Sequence, residues 1–183
     1  HSKDAEWQFF CDSDFAGNSE KQNKRRSQSG YIALQGSAPV VWSSKPSSVM
    51  FDAQDIVVKA HPKLKEAHAD VSSGASEIYA AGNATMDLLH LSYVMEEMRI
   101  NFPEVMTLQI DNTTAEAFAK GTVVKSKLKH IDCRQERVLT LRDNNIIVPQ
   151  HVDTEFNIAD IFTKILARPT FVKLRDMFMV PYS

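Results

Sequence analysis

Trp7-Gln8-Phe9-Phe10-Cys11-Asp12, followed by the turn signal Ala16-Gly17-Asn18-Ser19, is the stretch on which the reading of the fold depends. Bulky and aromatic residues from Trp7 to Cys11 suit a pleated, half-buried strand, which places Asp12 at a strand end. Ser29-Gly30-Tyr31-Ile32-Ala33-Leu34 predicts a second strand, Gly36-Ser37 a turn, and Val40-Val41-Trp42 a third strand. Three strands at this spacing predict an antiparallel meander.

Further along, the pattern changes period. Residues 62–69 predict a short helix outside the core. Ser72 and Ser73 are candidate caps for a second helix, on which Glu77, Ala81, Ala84, Leu88, Leu91, Met95 and Met98 recur at three- and four-residue spacing. That spacing puts Glu77 in line with apolar residues, on the inward face. Phe102 and Pro103 end this helix; Val105–Ile110 predicts a strand that stops at Asp111, with a short helix over Thr113–Lys120. Lys127–Arg142 predicts a helix, Asn144-Asn145 a turn, and Ile146–Val152 a last strand. Helices over Phe156–Ile165 and Phe171–Phe178, separated by Pro169, close the chain. The order predicts one α/β domain over residues 1–183, a mixed five-stranded sheet with three antiparallel strands followed by two more, flanked by helices.

The 183 residues, 43% of them hydrophobic, can fill one core. No apolar run approaches the roughly 20 residues that a membrane-spanning helix needs, so a soluble, intracellular domain without a membrane partner is expected. Cys11 and Cys133 are too few and too far apart for a disulfide framework or zinc cluster and read as buried thiols. His61 and His68 read as scattered surface histidines. A net charge of −2 excludes global electrostatic attraction to nucleic acid, so any such binding is local. Two local basic runs exist, one at Lys21, Lys24, Arg25 and Arg26, the other at Lys125, Lys127, Lys129 and His130. Taken alone, each reads as solvated loop charge.

Asp12, Glu77, Asp111 and Asp160 share a type of location: two strand ends, an inward helix face and a late helix behind Asn157. Buried carboxylates are costly unless neutralised. Strand ends and an adjoining helix can gather them around hard cations such as Mg²⁺. With 23 Asp and Glu in the chain, each one taken singly reads as a turn former or helix cap before it reads as a metal ligand.

Seven ordered blocks resemble the ribonuclease H domain of copia-type retrotransposon polyproteins. They are Cys11-Asp12-Ser13-Asp14-Phe15-Ala16-Gly17-Asn18, Arg26-Ser27-Gln28-Ser29-Gly30-Tyr31, Val41-Trp42-Ser43-Ser44-Lys45, Ser72-Ser73-Gly74-Ala75-Ser76-Glu77, Ile110-Asp111-Asn112, Lys129-His130-Ile131-Asp132-Cys133-Arg134 and Ala159-Asp160-Ile161-Phe162-Thr163-Lys164. The resemblance implies a ribonuclease H-like fold and hydrolysis of the RNA strand of RNA–DNA hybrids, leaving a 3'-hydroxyl and a 5'-phosphate. It implies catalytic and metal-binding roles for Asp12, Glu77, Asp111 and Asp160, around two Mg²⁺ ions with Mn²⁺ as an alternative. Asp12 would bridge both ions, Glu77 and Asp111 would hold the one beside the leaving oxygen, and Asp160 the one that activates water. Asn112, Lys125, Lys127, Lys129 and His130 become candidates for contacts to the hybrid backbone, although His130 also reads as an anchor for its helix.

The implied partner is the reverse transcriptase of the same polyprotein. The implied setting is the cytoplasm, within virus-like particles, with nuclear entry. The missing initiator Met and the ending soon after Leu166-Ala167-Arg168-Pro169 suggest a C-terminal polyprotein fragment.

Three features depart from the family pattern. Residues 50–69 read as an insertion just before Glu77, Ala75 stands where a further glutamate is common, and Phe15 replaces a tryptophan. Asp14 reads as a turn residue, and His151 as a strand residue with a proton-transfer role as the alternative. The second functional class is an inactive ribonuclease H-like relic that serves as a nucleic-acid-binding or structural module.

Overall fold

The computed structural model describes residues 6–14, 27–46, 65–113, 116–117 and 133–179, with the side chains of 65–75 and 133–137 outside the description. Its elements are β1 (Trp7–Asp14), β2 (Gln28–Gln35), β3 (Ala38–Pro46), α1 (Lys65–Glu97), β4 (Met106–Ile110), α2 (Cys133–Asp143) and β5 (Ile147–His151). Two 3-10 turns (Thr154–Phe156 and Ile158–Phe162) and α3 (Arg168–Asp176) complete them. The strands form one mixed sheet in the order β3-β2-β1-β4-β5. β1, β2 and β3 are antiparallel, while β4 joins β1, and β5 joins β4, in parallel. This is the expected fold class. Among the described residues no helix is long and apolar enough to cross a membrane.

Alternation along β1 sorts its side chains between two cores. Phe9 and Cys11 join Tyr31, Ala33, Leu108 and Ile110 beneath Ile78, Ala81, Ala84 and Leu88 of α1. Phe10 joins Ile32, Leu34, Ile158 and Ala159 on the other face. Burying a side chain such as Leu88 contributes about 1.5–3 kcal/mol, so the α1 face supplies most of the packing and the second face is a smaller patch.

α1 and α2 end alike. Arg99 (φ 57°) and Asn145 (φ 55°) adopt the left-handed conformation. The following amides, Ile100 and Ile146, bond back to the carbonyls of Met95 and Leu141. This is the Schellman arrangement, which satisfies terminal carbonyls.

Several local expectations need correction. The two helices expected around Ser72 and Ser73 are one helix of 33 residues; those positions lie inside it and not at its start. The run Lys65-Glu66-Ala67-His68-Ala69 has no Gly or Pro to stop it, so the helix continues through the serines. Residues 65–69 of the expected insertion therefore belong to α1, and 50–64 lie outside the described residues. Met98 is not on the buried face: it follows the helix and is 60% exposed.

β1 runs to Asp14, so Asp12 lies inside a strand, paired with Gly30, and Asp14 is a strand residue instead of a turn residue. The helix expected over Phe156–Ile165 is two 3-10 turns. Asn157 between them has an extended backbone (φ −76°, ψ 95°), and its side chain accepts from the Ala159 amide. That local bond competes with continuous α-helix. Pro169 lies in the first turn of α3, where its missing N–H costs nothing.

Candidate metal centre and nucleic-acid interface

β1 and β4 run in parallel register, with Cys11 beside Ile110. The next residues, Asp12 and Asp111, therefore stand side by side. Asp160 reaches them from the second 3-10 turn, across the small core. Asp12, Asp111 and Asp160 each offer an oxygen, and these oxygens all lie within 4.8 Å of one another. Glu77 is buried on the α1 side, near enough to feel the charges of Asp12 and Asp111. It does not belong to the close trio. The Ser13 amide donates to its carboxylate, yet Oε2 is buried with no hydrogen-bond partner among the described residues.

Three contacts bring the Asp160 turn this close. A Cβ on Gly30 would lie 2.8 Å from Phe162 Cβ and from Thr163 Cγ2, so β2 admits the turn only because residue 30 is glycine. The Ser44 hydroxyl donates to the Phe162 carbonyl at 2.6 Å. Asn157, fully buried, donates from Nδ2 to the Cys11 carbonyl at 3.2 Å, caps Ala159 and bonds the Asp111 carboxylate. Thr154 also bonds Asp111.

Lys164 completes the cluster. Its Nζ lies 2.8 Å from Asp160 Oδ1, 3.0 Å from Asp12 Oδ1 and 3.8 Å from Asp111 Oδ2. The Thr163 hydroxyl bonds Asp12 Oδ2, so both Asp12 oxygens have partners. Sequence reasoning assigned no role to Gly30, Ser44, Asn157, Thr163 or Lys164. All but Asn157 lie in the blocks that carry the resemblance, which was the available signal.

Titration reflects this crowding. Burial, then the charges of Asp12 and Asp111, push Glu77 well above the usual carboxylate range. Burial, then Asp12, raise Asp160 to about 7 against the pull of Lys164. Asp111 is raised for the same two reasons. Burial would lower the Lys164 ammonium, but Asp12, Asp160 and Asp111 together raise it. Cys11, buried beneath the site, is raised by desolvation first and then by Glu77, Asp12 and Asp111; its thiol stays neutral and inert.

An oxygen-only donor set with excess negative charge and a buried oxygen lacking a partner among the described residues fits hard divalent cations such as Mg²⁺ or Mn²⁺, not zinc. Asn112 is partly buried beside Asp111, and its carbonyl accepts from the Glu116 amide. Lys125, Lys127, Lys129 and His130 lie outside the described residues. His151 ends β5; its amide donates to Glu116 Oε1 at 3.1 Å, and its ring is 3.9 Å from Glu116 and from Asp153. It is a strand residue, as expected.

The sheet order, the two cores and the acidic cluster define a ribonuclease H fold. The solved structure of LC11-RNase H1 in complex with an RNA/DNA hybrid matches with a TM-score of 0.54, covering 86% of this chain and 94% of that one at 13% identity. Sequence relatives include retrovirus-related Pol polyproteins of plant transposons, in keeping with a ribonuclease H domain of a copia-type polyprotein. That of transposon RE2 from Arabidopsis thaliana is 26% identical over 162 residues, 88% of this chain. That of transposon TNT 1-94 from Nicotiana tabacum is 22% identical over 168 residues, 92% of this chain. The chain spans only 10% and 11% of their lengths. No protein-family model matches.

Proposed function

We propose that this chain is a metal-dependent endonuclease that hydrolyses the RNA strand of RNA–DNA hybrids during reverse transcription, beside the reverse transcriptase of a retrotransposon polyprotein. The observation that carries the reading is the convergence of Asp12, Asp111 and Asp160 within 4.8 Å on this fold. Divalent ions, two Mg²⁺ by preference, would supply Lewis acidity and a nucleophile at neutral pH.

Asp12, Asp111 and Asp160 are the residues that would hold the ions, with Glu77 as the fourth carboxylate, buried on the α1 side. Asn157 and Thr154 orient Asp111. Asn112, Lys125, Lys127, Lys129 and His130 would meet the hybrid through phosphate and 2'-hydroxyl groups, so base preference is weak. The LC11 enzyme was solved with such a hybrid. We propose the cytoplasm, within virus-like particles and with nuclear entry, as the setting of this activity.

One observation favours the alternative, an inactive binding or structural module: a lysine ammonium already sits among the three carboxylates. Cleavage of a labelled RNA–DNA hybrid in Mg²⁺ decides between them. The wild type should leave 3'-hydroxyl ends, and Asp12→Asn should be slower by at least about 1000-fold, roughly 4 kcal/mol of barrier. Absence of cleavage by folded wild type, also when joined to its reverse transcriptase, sinks the nuclease reading; hybrid binding without cleavage supports the alternative.

A further inference from the structure

We propose that Lys164 is a positioning residue that assembles the carboxylate site before metal arrives and is exchanged for the divalent ion when it binds. The proposal rests on the metal-dependent reading above.

Its Nζ contacts Asp160 at 2.8 Å and Asp12 at 3.0 Å, and lies 3.8 Å from Asp111. One ammonium thus faces the same three side chains whose oxygens lie within 4.8 Å of one another. Without a cation there, three carboxylates this close repel and splay apart. A divalent ion bound to those oxygens would stand a few ångströms from the ammonium, and at that distance like charges inside a protein repel strongly. The two cations therefore compete for one set of oxygens.

Release of the ammonium is local. The Lys164 side chain is 30% exposed, so its flexible stem can swing to solvent. The turn that carries it is held independently by the Lys164 amide bond to the Asp160 carbonyl at 2.9 Å, by Ser44 on Phe162 and by Asn157 on Cys11. Losing the ammonium contacts leaves those anchors in place. Metal entry is then an exchange of one cation for another in a frame already built, and its affinity is reduced by the contacts that the ammonium gives up.

The test titrates Mn²⁺ alone, without nucleic acid, into the folded domain by calorimetry or electron paramagnetic resonance. Thermal scans in chelator run alongside. Lys164→Met should bind Mn²⁺ about tenfold tighter than wild type, the effect of removing one adjacent charge, and melt lower without metal. Lys164→Arg should restore both the weaker binding and the metal-free stability. A purely structural lysine would not tighten metal binding when removed. Should Lys164→Met fail to fold, Lys164→Gln retains a polar end and gives the same readout.

Equal or weaker Mn²⁺ binding by the folded, uncharged variant overturns the exchange. Tighter binding by a protein that never cleaves hybrid leaves the exchange standing and removes the nuclease reading. Absence of Mn²⁺ binding by wild type and variants alike overturns both.

Discussion

Asp160 and Glu77 approach the strand-borne aspartates from opposite sides of the sheet, and they are held by different means. Asp160 rides on a five-residue 3-10 turn above a small core, fixed by point contacts: the missing Cβ of Gly30, the Ser44 hydroxyl, the Asn157 amide and the Lys164 ammonium. Glu77 rides on a 33-residue helix over the large core. It is located by burial and by one backbone amide, and one oxygen has no partner among the described residues. Packing alone suffices to place a helix residue, because the apolar face fixes rotation and depth together. A short turn has no such face and needs polar and steric pins. The two sides should therefore fail differently when damaged.

Among the pins of the turn, the largest effect is expected at Gly30. The Gly30→Ala methyl group would press on Phe162 Cβ and Thr163 Cγ2 at 2.8 Å, and neither is the loose end of a long side chain. The turn must move away from β2, taking Asp160, Thr163 and Lys164 with it. We expect a loss of about 3 kcal/mol in chemical denaturation, as for overpacked cores. Hybrid cleavage should fall by about 100-fold, since displacements of about 1 Å at reacting groups cost that much. Unchanged cleavage at unchanged stability would show that the turn is not pinned by this contact.

Next is Asn157→Ala. It removes the bond to the Cys11 carbonyl, the cap on Ala159 and a partner of Asp111, all at a fully buried position. Leaving buried groups unpaired costs about 1–3 kcal/mol. We therefore expect about 2 kcal/mol, with cleavage reduced less than by Gly30→Ala because the steric seat remains. Asn157→Asp keeps the acceptor for Ala159 and loses the donors, so its cleavage rate reports which half of the amide matters.

These pins explain which parts of the molecule were legible in advance. The strands, their order in the chain and the inward position of Glu77 follow from local periodicity, which acts within a few residues. Asp12 and Asp111 were recognisable as strand-borne carboxylates for the same reason. The contacts of Gly30 with Phe162 and of Asn157 with Cys11 join residues more than 130 positions apart and exist only once β1, β2 and the turn have met. Periodicity carries no trace of them. The 3-10 geometry around Asn157 was invisible because Ile158-Ala159-Asp160-Ile161-Phe162 has ordinary helical composition; one side-chain cap and the close seat on β2 override it. The ordered resemblance pointed to the right blocks without saying what their glycine, serine and lysine do.

The smallest expected effect is on the helix side, in the metal-free protein. Glu77 and Asp160 are both raised by folding, Asp160 to about 7. A carboxyl group raised in the folded state contributes stability that is fully present below its unfolded value of about 4. That contribution is lost as pH rises through the folded value. In chelator, the melting temperature of the wild type should therefore fall between about pH 4 and somewhat above 7. Glu77→Gln removes a carboxyl group whose ionisation the fold opposes, so its curve should be flatter and lie higher by about 2–4 °C at pH 8, the shift for 1 kcal/mol in a domain of this size. Asp160→Asn should flatten the curve too but forfeit the Lys164 bond, so its gain at pH 8 is smaller. Thermal scans of the three proteins from pH 5 to pH 8, repeated with Mn²⁺, separate these effects. Added metal should reverse the order, because each variant replaces a charged carboxylate that the wild type offers with a neutral amide. A Glu77→Gln protein less stable than wild type at pH 8 without metal would mean that the Glu77 charge is already neutralised on the helix side, and the contrast with Asp160 would disappear.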